Sequence, residues 1–230
     1  MFKRLFSVLS GDYPLEKAAR RFTKMLELSR EMIIEADAVY WGKQMTPEER
    51  TALYEKDVEV NRLQRTVRKA VITHLSSSAS SDVPYGLLLM SLVKDVERLG
   101  DYAKNITEIP KMVRPEGGTR ELPDDELVAE LREITQRVIA TARNAVEIYN
   151  ESNNDRAKEL TLEGRSIAKR CDQLVTKIAQ SDYSASVAVD LTLAARFYKR
   201  LLGHLLNLLS SLLMPLHKLD YYDENAIPND

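Results

Sequence analysis

The chain has 230 residues and 26.2 kDa, 44% hydrophobic and 30% charged, which suits a packed core and excludes a disordered or fibrous chain. Eight glycines and eight prolines are too few for the many tight turns of a β-sandwich or barrel. Lys plus Arg at 33 against Asp plus Glu at 35 leaves a net charge of −2, which excludes a generally basic surface for nucleic acid, and the single cysteine, Cys171, excludes an internal disulfide.

In chain order, residues 1–14 open with two positive charges and too short an apolar stretch for a secretory leader. Their alternative role is a weak amphipathic contact with a membrane. Helices are predicted near 15–41, 47–76, 83–110, 124–150, 154–180 and 186–214. Trp41-Gly42 closes the first with a packing anchor and a C-terminal glycine. Thr46-Pro-Glu-Glu49 opens the second as a capping box. Ser76 through Asp82 is a loop in which Asp82 caps the third helix ahead of Pro84. Pro110, Pro115, Gly117, Gly118 and Pro123 crowd into one linker, and Glu151 to Asn154 and Ser181 to Ser186 make two further breaks. The run Leu201 to Leu216 is shorter than the roughly 20 apolar residues that span a bilayer, so it is expected inside a bundle and the cytoplasm is the expected location.

Leu92, Val96, Leu99, Ala103 and Ile106 recur at spacings of four and three, a helical seam, and Val60, Leu63, Val67 and Ala70 do the same. Arg98-Leu99 and Asn105 recur in the sixth helix as Arg200-Leu201 and Asn207; Val60 to Leu63 lies over Cys171 to Leu174. The fold expected is therefore all-α, six long antiparallel helices forming two copies of a three-helix bundle. Its parts are an N-terminal segment 1–14, a first repeat 15–112, a linker 113–123, a second repeat 124–216 and a tail 217–230.

The third helix places Glu97 and Asp101 one turn apart on a single face, pointing away from the apolar seam, with Glu108 extending the stripe. A solvated acidic face, partly neutralised by Lys94 and Lys104, is the simplest account. Asp57 and Asn61 form a matching pair on the second helix. If the two helices are neighbours, three carboxylates and one amide oxygen converge, a donor set for Mg²⁺, Mn²⁺, Ca²⁺ or iron rather than a structural zinc.

Lys94-Asp-Val-Glu-Arg-Leu-Gly-Asp-Tyr-Ala-Lys-Asn-Ile106 resembles the D-x-E-R-x-G-D-x-A-x-N-I signature of the PhoU family, and Glu55 to Leu63 resembles that family's other helix motif. The resemblance covers nearly the whole chain from about residue 15. It implies a duplicated three-helix layout and a cytoplasmic, non-enzymatic regulator of phosphate uptake or phosphate signalling. It further implies that Asp57, Asn61, Glu97 and Asp101 hold a divalent or iron cation, zinc included, on the bundle surface, with Asp95 and Asp172 as weaker contributors. The second repeat departs from the pattern: Lys199 stands where Glu is expected, Gly203 where Asp is expected, and Ala168 where an acid is expected. Any specific cation is therefore expected in the first repeat, bound modestly because Asn61 is neutral.

None of His74, His204 and His217 has a Glu three residues earlier, so the Glu-x-x-His of di-iron bundles is missing, and His204 is expected to pack among leucines. Gly-rich phosphate loops and serine-nucleophile motifs are missing too. Arg62, Arg65, Arg68 and Lys69 are expected to form a solvated face rather than a nucleic-acid site. The partners expected are a second copy in a homodimer and proteins of phosphate transport or phosphate-sensing signalling, with membrane contact only through those partners or weakly through the N-terminal segment. The alternative is a metal-free helical interaction module or accessory subunit of a membrane phosphate transporter.

Overall fold

The computed structural model describes residues 14–77, 82–113 and 119–219. They form α1 (Pro14–Tyr40), α2 (Pro47–Ser77), α3 (Val83–Met112), α4 (Glu126–Glu151), α5 (Asn154–Ala179), α6 (Ala185–Ser210) and a short 3₁₀ turn (Leu216–Lys218). Among the described residues there is no strand. Residues 1–13 of the N-terminal segment, residues 78–81, residues 114–118 of the linker and the tail from 220 lie outside the described residues.

Local chemistry sets most helix ends. After α1, Gly42 adopts φ 114, its N–H donates to Val39 O, and the Lys43 N–H reaches Ala38 O, a Schellman closure that needs the glycine. At α2 the Thr46 N–H donates to Glu49 Oε2 and the Glu49 N–H to Thr46 Oγ1, so the capping box closes in both directions. Asp82 departs from expectation. It occupies the N-cap position of α3 in helical conformation, with no side-chain cap bond, and its Oδ2 lies 2.9 Å from His74 Nε2 instead. Helix α3 also runs past Pro110 to Met112, because in the last turn proline removes a single backbone bond. Helices α4 and α5 meet in a two-residue turn. Ser152 takes φ 52 there, and Asn153 Oδ1 caps α5 by accepting from Arg156 N.

Each helix buries a stripe at three- and four-residue spacing. Phe22, Met25, Met32, Ile33 and Tyr40 of α1 meet Leu89, Leu92, Val96, Leu99 and Ile106 of α3 in one continuous core. Burying side chains of this size contributes roughly 1.5–3 kcal/mol each. Helix α2 flanks α1 and α3, and α5 flanks α4 and α6. The two bundles then share faces, α1 against α4 and α3 against α6, so the interior runs through both. Helix α6 is enclosed in the interior, as its leucine run predicts. Leu201, Leu202, Leu205, Leu206, Leu208 and Leu209 are all buried, because α3, α4 and α5 cover it together.

Arg120, in the described residues that precede α4, ties the two halves together. The Arg120 guanidinium pairs with both oxygens of Asp190, at 1% exposure on α6, and donates from Nη1 to Tyr40 O at the end of α1 (2.7 Å). It also lies over the Tyr40 ring, 4.5 Å from the centroid. One side chain thus satisfies a helix C-terminal carbonyl and a buried carboxylate at once. Beside it, Trp41 Nε1 donates to Thr135 Oγ1 at 3.0 Å, with Arg132 stacked on the indole, tying α1 to α4.

Candidate functional site

Packing of α2 on α3 brings Asp57 and Asn61 across from Glu97 and Asp101, so the two helices are neighbours. The chemistry between them is not that of four oxygens meeting at a point. Lys104 Nζ donates to Asp57 Oδ2 at 2.7 Å and lies 3.5 Å from Asp101 Oδ1, so an ammonium sits between the two carboxylates. Asn61 turns its amide nitrogen, not its oxygen, toward Asp57 Oδ2 at 3.4 Å. Arg98 Nη1 donates to Asp101 Oδ2 at 3.1 Å, and Arg98 Nε stands 3.7 Å from Glu97 Oε2. Asp57 is buried at 7% exposure, lodged against the backbone of α3, where a Cβ on Gly100 would approach its Oδ1 to 3.5 Å.

The expectation of a solvated face needs correction at this point. Glu97 and Asp101 are half-buried, because α2 leans over them. Burial pushes the Glu97 carboxyl above its ordinary pKa, and the charges of Asp101 and Asp57 add to that, opposed by Arg98 and Arg68. Burial also works against the Lys104 charge, but the hydrogen bond and charge of Asp57, with the charge of Asp101, outweigh it and hold its pKa above the usual lysine range. Glu108 continues the stripe and accepts from Tyr54 Oη of α2 at 2.9 Å.

The second repeat is closed in the same manner from different positions. Asp172 of α5 accepts from Arg196 Nη1 at 3.0 Å and from Lys199 Nζ, both on α6. Ala168 packs against the core, and a Cβ on Gly203 would meet nothing within 4 Å. Asp172 lies in register with Asn61 and Lys199 with Glu97, so this pair sits about one turn along one helix and two turns along the other from its counterpart Asp57–Lys104.

Asp95 belongs to neither cluster. It faces α6, where its Oδ1 accepts from Asn207 Nδ2 (2.8 Å) and lies 2.8 Å from His204 Nδ1. His204 is therefore not packed among leucines as expected. It bridges the two repeats, stacked on Tyr102 with ring centroids 5.7 Å apart.

The fit to a metal ion can be judged on these contacts. A cation at the first cluster needs the oxygens that Lys104 and Arg98 already hold, and at the second the oxygens held by Lys199 and Arg196. Among the described residues no group of three or more His, Cys, Asp or Glu side chains is placed to hold a metal. The residues do not fit the ion that the family resemblance implies. Sequence reasoning placed Lys104 beside the stripe without its bridging role, and it missed Arg120 and Asp190. A lone acid among Val187, Ala188, Leu191 and Ala194 was the available signal for the latter, since a buried carboxylate demands a cation.

Two fused three-helix bundles with ion-paired carboxylates on the α2–α3 and α5–α6 faces define an all-helical scaffold. A family model described as the PhoU domain matches residues 22–109. The Phosphate-specific transport system accessory protein PhoU homolog of Rhizobium meliloti (strain 1021) is 27% identical over 137 residues, 58% of this chain and 55% of that protein. The match thus spans about half the length of that curated relative. The crystal structure of the phosphate transport system regulatory protein PhoU from Streptococcus pneumoniae superposes with a TM-score of 0.71 at 16% identity, over 86% of this chain and 93% of that one. PhoU from Pseudomonas aeruginosa superposes with a TM-score of 0.73 at 17% identity, over 89% and 97%. The chain thus matches a PhoU domain over residues 22–109 and shares its overall fold with PhoU proteins of known structure.

Proposed function

We propose that this chain is a non-enzymatic regulator of phosphate transport, acting in the cytoplasm as a homodimer that docks helical faces onto transporter or phosphate-signalling proteins. The observation that carries the reading is the PhoU-domain match over residues 22–109, the half that holds the Asp-x-Glu-Arg-x-Gly-Asp stretch. The Rhizobium meliloti relative is named for a phosphate-specific transport system and the Streptococcus pneumoniae protein for regulating one.

The side chains support a binding role over a catalytic one. Asp57, Asp101 and Asp172 are each engaged by a cation from the neighbouring helix or their own, which leaves them poorly placed as general bases. Burial pushes the Cys171 thiol up to about 12, so it is protonated and unreactive at neutral pH. Apolar surface for docking comes from Tyr54 and Val58 on α2 and Leu162 on α5, all exposed. No helix among the described residues is long and apolar enough to cross a membrane.

Deleting the gene and measuring orthophosphate uptake over a range of external phosphate tests the proposal. The expected result is an altered uptake rate that expression of this chain restores. Uptake unchanged across the range overturns it.

A further inference from the structure

A carboxylate cluster in the first repeat and a single carboxylate in the second each end on an ammonium of the same chain. Lys104 lies between Asp57 and Asp101, 2.7 and 3.5 Å from their oxygens, and Lys199 with Arg196 takes both oxygens of Asp172. The two closures come from non-equivalent register positions, so they are not one feature copied with the repeat. Asp57 and Asp172 take their cations from the facing helix, whereas Asp101 takes Lys104 and Arg98 from its own.

We infer that Lys104 is a tethered cation that stands in for a metal ion: it closes the first cluster to divalent cations, and the chain folds and works with both clusters metal-free. Attraction by several carboxylates would draw a divalent ion, but the ion must displace a covalently attached ammonium whose local concentration is far above that of any free metal. It must also sit within a few ångströms of that ammonium and the Arg98 guanidinium, whose repulsion cancels much of the gain. Asn61 adds nothing in its observed orientation, since it presents a donor. In the second repeat a single carboxylate faces two cations, so that cluster is closed more firmly.

The inference rests on side-chain contacts and is independent of the phosphate-transport reading. It makes Lys104 the gate. Without the ammonium, Asp57, Glu97 and Asp101 are left with Arg98 at Asp101 and the charge of Arg68 acting on Glu97, a set that suits a hard cation.

Manganese binding to the purified full-length chain, measured by calorimetry and by loss of the free Mn²⁺ electron-paramagnetic signal, tests this on wild type, Lys104→Met and Lys104→Gln. Wild type is expected to take up no stoichiometric Mn²⁺ at micromolar concentrations. Lys104→Met is expected to bind one ion per chain at least tenfold more tightly, and adding Asp57→Asn to it should abolish that site. Helical circular dichroism identifies folded material, and Lys104→Gln, which keeps hydrogen-bond donors, supplies the folded comparison if the Met variant unfolds. Stoichiometric micromolar binding by wild type, lost in Glu97→Ala/Asp101→Ala, would overturn the inference. So would folded Lys104 variants that bind no better than wild type, because the ammonium would then not be what closes the cluster.

Discussion

Arg120 and Asp190, seventy residues apart in sequence, form a two-pronged buried ion pair that fastens the inter-repeat segment to the start of α6 and the end of α1. Removing one partner strands the other charge. Arg120→Ala should lower stability by about 3–5 kcal/mol, the cost of an uncompensated buried carboxylate. The double variant Arg120→Met/Asp190→Leu should recover most of that loss. Urea denaturation of the three proteins checks it, with a single transition expected because the core runs through both repeats.

Two helical glycines should respond in opposite directions to alanine. A Cβ at Gly164 would lie 2.6, 2.8 and 3.1 Å from three carbons of Leu206, a fully packed side chain that must move as a whole. Gly164→Ala should cost about 1–3 kcal/mol through overpacking of α5 on α6. At Gly100 the nearest atom is Asp57 Oδ1 at 3.5 Å, an ordinary contact. Gly100→Ala should therefore gain up to about 1 kcal/mol of helix propensity. Thermal melts of the two variants separate the effects by sign.

Ser152 holds φ 52 in the tight turn between α4 and α5. An L-residue with a side chain is strained there, and glycine is not. Ser152→Gly should raise stability by about 0.5–1 kcal/mol, after the unfolded chain's extra freedom is counted. The chemical-denaturation midpoint should move up with an unchanged slope.

Glu97 is held above its ordinary pKa by burial, then by Asp101 and Asp57, against Arg98 and Arg68. A raised carboxyl pKa means that the folded state binds the proton more tightly than the unfolded state. Stability therefore falls as pH rises from the ordinary glutamate value through the raised one, and stays at the lower level above it. Glu97→Gln should be more stable than wild type at neutral pH and lose that advantage below the ordinary glutamate range. Melting curves from pH 3 to 8 read the sign; a growing advantage on acidification would contradict it.

The elements that the sequence made legible are those settled within a few residues. Thr46 and Glu49, three apart, close their own capping box, and Gly42 ends α1 without help from the rest of the chain. The seam from Leu92 to Ile106 carries its periodicity openly, and α3 lies where that seam puts it. What local spacing could not settle was which partner a polar side chain meets across helices. Asp82 has a cap position but finds His74, Asp95 turns to α6, and Lys104 reaches Asp57 because α2 and α3 cross at that level. The candidate site shows the same division: helix spacing brings its four residues together, while the ammonium among them depends on the register between two helices.

We propose that this chain, which matches a PhoU domain over residues 22–109, regulates phosphate transport through its helical faces, with carboxylates that its own lysines close. The most direct measurement is orthophosphate uptake in cells lacking the chain, rescued by wild type or by Glu97→Ala/Asp101→Ala. The account predicts equal rescue by both, since the pair is not needed to hold a metal. Rescue by wild type alone, with the double variant folded and present at the same level, would contradict it.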